Sequence, residues 1–411
     1  MELNTLIQLG IVLVVAKAAA EAAERILRMP PVLGEIIAGA LLGGSGLGWV
    51  HASNPELAFL AEIGAVLLLL EVGLAGEAGR LMRVGAAALW VAGCGVAFTV
   101  TLSYVVLTTL GLPAPVALFA AASLCATSVG ITARVFADLE NLHTREAQLV
   151  LAAAVADDVL GLVLIAAVTG LALHHAWSVP SVVRVLALAC AFLAASVVVG
   201  SRLAPALLHT AHRMRTRAAL STWAVAFCMV MAGLAQAAGL AAIVGAFAAG
   251  LLMAKTEHKA HLEARVKAAA DLFVPVFFVM MGARMDLHLL NPATPWGRAS
   301  LFTACLLLVA AVLGKILAGV SVPLRSIGRL QVGIGMVPQG EVSLISASIG
   351  LGAGILPHGL YAAMVLVVIF NTLITPPLLK LTAGPTPQKG GREFAPVVDA
   401  SATLGRDAGV P

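Results

Sequence analysis

The chain has 411 residues, of which 60% are hydrophobic and only 11% charged, and its mean hydropathy is +1.01. A soluble domain needs roughly 25% charged residues to cover its surface, so a water-soluble globule, a disordered chain and a nucleic-acid-binding protein are excluded. The net charge of +4 sits in short blocks between apolar runs, a pattern of membrane topology rather than of polyanion binding.

A spanning helix takes about 20 mostly apolar residues. That rule predicts an all-α polytopic membrane protein with thirteen helices, over 4–27, 31–48, 56–76, 84–110, 114–138, 146–173, 182–208, 218–237, 239–254, 268–286, 297–320, 327–352 and 357–382. The first stretch lacks the basic leader and cleavage site of a secretory signal and is read as a helix of the protein itself. Residues 1–382 form the membrane domain, and the Gly-, Pro- and polar-rich segment 383–411 reads as a short disordered cytoplasmic tail. Cys94, Cys125, Cys190, Cys228 and Cys305 lie inside apolar runs without metal-type spacing, and are read as buried free thiols.

Charge in the connections sets the orientation. One alternating set holds Arg25, Arg28, Arg80, Arg83, Arg145, Arg202, Arg213, Arg215, Arg217, Lys255, Lys259, Arg265, Lys267, Arg325, Arg329, Lys380, Lys389 and Arg392. The opposite set holds Arg184, Arg284 and Arg298. Eighteen against three places the N-terminus outside and the C-terminus in the cytoplasm of a cell (inner) membrane protein.

A repeat runs through the chain. VLGEIIAGALL (Val32–Leu42) aligns without gaps on IVGAFAAGLLM (Ile243–Met253), pairing Gly34 with Gly245, Ala38 with Ala249, Gly39 with Gly250 and Leu41 with Leu252 at an offset of 211. Near the same offset, EVGLAGE (Glu71–Glu77) faces MMGARMD (Met280–Asp286). Chance likeness between Ala- and Gly-rich helices is the competing reading. Helix order favours a true repeat: helices one to six pair with eight to thirteen, giving repeats at about 4–173 and 218–382 with a linker helix at about 182–208. A shift of seven helices reverses direction, so the repeats are expected to be inverted, as in many secondary transporters.

Three features carry chemistry. Asp157 and Asp158 lie side by side in the middle of an otherwise uncharged helix, where each costs at least ~2.5 kcal/mol if it faces lipid. Neighbours on a helix point about 100° apart, so one carboxylate can face a water-filled cavity while the other meets a neighbouring helix. Lys315 is the only cation deep inside its helix; snorkelling to a surface competes with pairing to one of the aspartates. Finally, LCATSVGIT (Leu124–Thr132) and GIGMVPQGEVSL (Gly333–Leu344) carry helix-weakening residues at corresponding places in the two repeats, with Thr127, Ser128 and Gly130 in one and Gly335, Pro338, Gly340 and Glu341 in the other. Two crossed discontinuous helices are expected there. Their freed carbonyls and the two hydroxyls are hard oxygen ligands for a small alkali cation, and Glu341 is placed to compensate the dipole of an exposed half-helix N-terminus. For the first segment, ordinary Thr and Ser back-bonding within an unbroken helix stays open.

Weaker signals are Glu35, Glu62 and Glu71, read as packing or vestibule carboxylates, and His174 and His175, read as solvated. Lys17, Glu21 and Glu24 form a polar stripe near the inner face.

Together PPVLGEIIAGALLG, LAEIGAVLLLLEVGLAGE, ATSVGITARV, AVADDVLGLVLIA and GMVPQGEVSL resemble the monovalent cation:proton antiporter family, over roughly residues 5–380 and nearest its NapA-like, two-aspartate sodium/proton branch. The resemblance implies a dimerisation domain and a mobile core domain in a homodimer. It implies that Asp158 is the main carrier of cation and proton, that Asp157 partners Lys315, and that Asp158, Asp157 and Thr127 ligate sodium. No cofactor is implied beyond the transported Na+ or Li+ and H+. One departure is Gln339, where the family often has Arg beside the glutamate.

The expected function is electrogenic exchange of sodium or lithium for protons by alternating access, with cation and protons competing for the same buried carboxylates. Potassium/proton exchange is the alternative within transport. An intramembrane aspartyl protease would need its aspartates on separate helices, and a cation channel would be opposed by a buried lysine in its path.

Overall fold

The computed structural model describes residues 4–51, 53–76, 78–174, 179–214, 216, 218–285, 297–324 and 327–382, the side chains of residues 78–84, 166, 169–174, 179–182, 297 and 341 excepted. Among these residues every regular element is helical: α1 Thr5–Arg25, α2 Pro31–Leu42, α3 Pro55–Ala75, α4 Ala78–Thr109, α5 Ala114–Ser123, α6 Val129–Asp138, α7 Arg145–His174, α8 Val179–Ala195, α9 Ser201–His212, α10 Ala219–Ala237, α11 Ala242–Met253, α12 Lys259–Ala283, α13 Gly297–Val320, α14 Arg329–Gly335, α15 Glu341–Gly352 and α16 His358–Thr382. Nine of the described helical stretches are long and apolar enough to cross a membrane, so this is a multi-span membrane protein. The expected tail at 383–411 lies outside the described residues.

Local chemistry places the helix starts. Asn4 caps α1 by accepting from the Leu6 N–H, and Asn54 caps α3 by accepting from the Glu56 and Leu57 N–H groups. Pro31 and Pro55 open α2 and α3, where a missing N–H costs nothing.

Several boundaries differ from expectation. The stretch 31–48 is helical only to Leu42, because the run Gly43, Gly44, Gly46 and Gly48 takes the chain into turns, Gly48 with φ +65°. The helix expected from 268 begins at Lys259: Leu262, Val266 and Ala270 bury one face, while the charged residues between them hid the helix from a hydropathy rule. The linker expected as one helix over 182–208 is α8 and α9 joined by a π turn at Ser196–Gly200. It lies one turn ahead of Pro205, whose missing N–H and ring disturb the ladder there. Cys125 and Cys228 are buried as expected, but Cys94 is only half-buried and Cys190 and Cys305 are exposed.

The helices form two bundles. In the first, α3 packs on α11 and α12, α2 on α12 and α1, and α10 on α11. In the second, α4 packs on α7, α5 and α13, and α13 packs on α14 and α16. The bundles touch where α6 and α16 lie against α2 and where α6 meets α3.

Close packing within the first bundle depends on glycines. A Cβ on Gly39 of α2 would fall on the Val279 carbonyl of α12, and one on Gly282 would fall on the Ile36 carbonyl of α2. The same arrangement recurs between α11 and α3, where Gly250 sits against the backbone of Leu70 and Gly73. Helices α2 and α11 are each 12 residues long and are related by the same offset of 211 as their sequences. The paired glycines therefore hold equivalent contacts.

Candidate functional site

The two weakened segments are both non-helical at their centres, at 124–128 between α5 and α6 and at 336–340 between α14 and α15. They cross. The Ser128 N–H donates to the Pro338 carbonyl at 2.7 Å, the Thr127 hydroxyl donates to the Met336 carbonyl at 2.9 Å, and the Thr132 hydroxyl donates to the Gly335 carbonyl at 2.8 Å. Each bond satisfies a backbone group that unwinding released. Ser128 also caps α6, its hydroxyl accepting from the Ile131 N–H. Gly340 begins α15 against Ser128: a Cβ there would stand 2.8 Å from the Ser128 Oγ. Gly130 lies behind them against the ring of Phe277.

Asp157 and Asp158 occupy the middle of α7, both fully or almost fully buried at 0% and 2% exposure. Their side chains diverge. Asp157 points into its own bundle, where Lys315 Nζ of α13 lies 2.8 Å from its Oδ2. The same ammonium donates to the Cys125 carbonyl at 2.6 Å, so Lys315 ties the aspartate helix to the unwound segment. Lys315 reaches this depth because Gly314 lets α13 approach the backbone of Thr99 on α4.

Asp158 turns the other way, into a cavity of about 20 Å³ that it shares with Thr127, Ser128, Gly130, Gly340 and Val342. Ile243, Phe277 and Met281 of the first bundle close its far wall. That volume has room for about one water-sized occupant. With two carboxylates and one ammonium, the site carries a net charge of −1 before any ion or proton binds. Hydroxyl, carboxylate and carbonyl oxygens at the edge of so small a cavity suit a hard monovalent cation stripped of most of its water.

Gln339 is buried and its side-chain amide donates to the Leu124 carbonyl at the C-terminal end of α5, while its own carbonyl accepts from Thr372 at 2.9 Å. A neutral donor thus serves that half-helix end. Glu341 opens α15, but its side chain lies outside the described residues. Glu62 is exposed and accepts from Gln236, Glu71 is half-buried, and Glu21 pairs with Arg25 instead of joining a stripe with Lys17. None of these reaches the cavity. His175 lies outside the described residues.

Two groups of residues escaped sequence reasoning. Ile243, Phe277 and Met281 are apolar residues in apolar helices, and no pattern could mark them as a cavity wall. Arg134 and Asp138 gave a signal that went unused, since two charges interrupt the otherwise apolar α6.

Comparison with known proteins gives a consistent result. Residues 10–382 match a family model described as sodium/hydrogen exchanger, transmembrane. The high-affinity Na+/H+ antiporter NhaS3 of Synechocystis is 34% identical, the match covering 92% of this chain and 89% of that protein. The Na+/H+-K+ antiporter GerN of Bacillus cereus is 32% identical over 93% of this chain and 97% of its own. Among solved structures, the sodium proton antiporter MjNhaP1 of Methanocaldococcus jannaschii shares the fold, with a TM-score of 0.70 at 19% identity over 94% of this chain and all of that one.

Proposed function

This chain belongs to the sodium/hydrogen exchanger family, a family of membrane transporters rather than enzymes, and on that premise we propose that it exchanges sodium or lithium for protons across the cell membrane. The observation that carries the reading is the divergence of the adjacent aspartates, one locked to a lysine and the other lining a cavity at the crossing of two unwound segments.

Asp158 is the carrier. A dehydrated sodium ion binds its carboxylate with oxygens of the unwound segment, the Thr127 hydroxyl foremost. A proton on the same carboxylate removes the charge that holds the ion, so the two are carried in turn and never together. The two bundles then move relative to one another and present the site to the other side. Asp157 and Lys315 neutralise each other while paired. If the pair also gives up a proton when sodium binds, two protons move against one sodium and the cycle is electrogenic, each charge being worth about 2.3 kcal/mol per 100 mV. A homodimer, inverted repeats and a cytoplasmic C-terminus complete the reading. GerN, whose name includes potassium, makes K+ the competing substrate to assay.

Proton flux in proteoliposomes tests this. Sodium and lithium, against potassium and rubidium, are expected to drive proton movement in the unsubstituted chain, and Asp158→Asn is expected to abolish it. Full sodium-driven flux in Asp158→Asn would end the proposal. Flux indifferent to an imposed membrane potential would exclude its electrogenic part.

A further inference from the structure

Among the described residues, charged side chains join the bundles at the end where α1 finishes, α2 begins and α6 ends. Glu35 of α2 is completely buried, and the nearest cation is Arg134 of α6, whose guanidinium Nη2 lies 3.8 Å from Glu35 Oε1. Arg134 Nε in turn pairs with Asp138 at 2.9 Å, one turn along α6. Asp138 Oδ2 also crosses the interface, accepting from the Val32 N–H at 3.3 Å in the first turn of α2. A second tie lies beside it: Lys380, at the end of α16, donates to the carbonyl of Arg28, which turns the α1–α2 connection with a left-handed φ of +54°. The charged surroundings of the cluster are Lys17 and Glu24 of α1, Glu71 of α3 and Asp271 of α12.

The Glu35–Arg134, Val32–Asp138 and Arg28–Lys380 contacts join the first bundle to the second, while the Arg134–Asp138 pair lies within α6 and holds both side chains at that interface. Glu35 is not among the residues that line the ion cavity, so its carboxylate has no part in ligation there. Helix packing alone would be served better by an apolar residue, since removing two charges from water costs more than a surface pair returns. What an ionic contact adds is a discrete, breakable state: complete when the bundles are in this relative position and lost when they slide. The ion cavity is also bounded by both bundles, with Ile243, Phe277 and Met281 of the first bundle facing Asp158 of the second.

We propose that Glu35, Arg134 and Asp138 form a latch between the bundles that keeps the Asp158 site closed toward the end bearing the basic connections, and that the latch must open for the site to turn to that side. This rests on the alternating-access reading above. Arg134 and Asp138 are positioning residues: they act on the bundle, not on the ion.

The Val32 amide is itself a reporter, because Asp138 covers it from the other bundle. Hydrogen exchange measured by mass spectrometry on the full-length protein in detergent is expected to speed up about tenfold or more over residues 32–35 and 129–138 in both Glu35→Gln and Arg134→Gln, while α11, the repeat partner of α2, keeps its rate. Glu62→Gln, which breaks a contact inside the first bundle, is expected to leave 32–35 unchanged. Unchanged exchange over 32–35 in Glu35→Gln and Arg134→Gln would overturn the latch. Slowing of exchange over 124–130 on adding sodium to the unsubstituted chain tests the ion site separately. If sodium has no effect there, the functional reading fails, and the rates over 32–35 still decide whether the bundles are latched.

Discussion

Asp157 and Asp158 differ by one position, and the helix turns that single step into two chemistries. A carboxylate held by an ammonium 2.8 Å away in a dry interior depends on that partner. Removing one member of a buried pair leaves an uncompensated charge and costs about 3–5 kcal/mol, whereas replacing both by apolar residues is often neutral. Lys315→Met is therefore expected to lower thermal stability in detergent sharply, and Lys315→Met combined with Asp157→Leu to recover most of the loss. A double variant no more stable than Lys315→Met would show that the ammonium acts through the Cys125 carbonyl, not through Asp157.

At the scale of the element, the site is made by two helices that stop and restart. Their breaks are held together by three bonds between unwound backbone and neighbouring hydroxyl or amide groups, and Gly340 is where the segments come closest. A Cβ there has only the Ser128 side chain to push, and displacing it disturbs both the α6 cap and the cavity. Gly340→Ala is expected to cost about 1–3 kcal/mol of strain and to raise the apparent KM for sodium several-fold with little change in protein yield. Flux measured over a range of sodium concentrations would decide this; an unaltered KM would place the cation away from the crossing.

For the whole molecule, competition for one carboxylate predicts how transport depends on pH. The proton and the cation exclude each other, so acidification raises the apparent KM for sodium while the maximal rate at saturating sodium is retained. Once protonation of the empty site dominates, each unit of pH is expected to raise KM about tenfold per competing proton, the mass-action limit for a ligand that binds one state only. Sodium titrations of proton flux at several pH values test it. A KM constant across pH with a falling maximal rate would mean that protons act at a site distinct from Asp158.

Helix content, the two helix breaks and the mid-helix positions of Asp157, Asp158 and Lys315 were legible in the chain itself. Apolar runs long enough for a bilayer, Gly and Pro at matched places, and charges stranded at mid-helix each carry a cost that only one local arrangement relieves. The misjudged boundaries were those where a charged face concealed a buried one, as in α12, or where clustered glycines ended α2 early. The family resemblance already named Asp157 as the partner of Lys315, and the structure places them 2.8 Å apart. Only the tertiary structure decided which apolar residues wall the cavity and that Glu35 finds Arg134 across the bundle interface. Periodicity along a chain reports which face of a helix avoids water or lipid. It carries no information about which other helix, a hundred residues away, will be brought against that face.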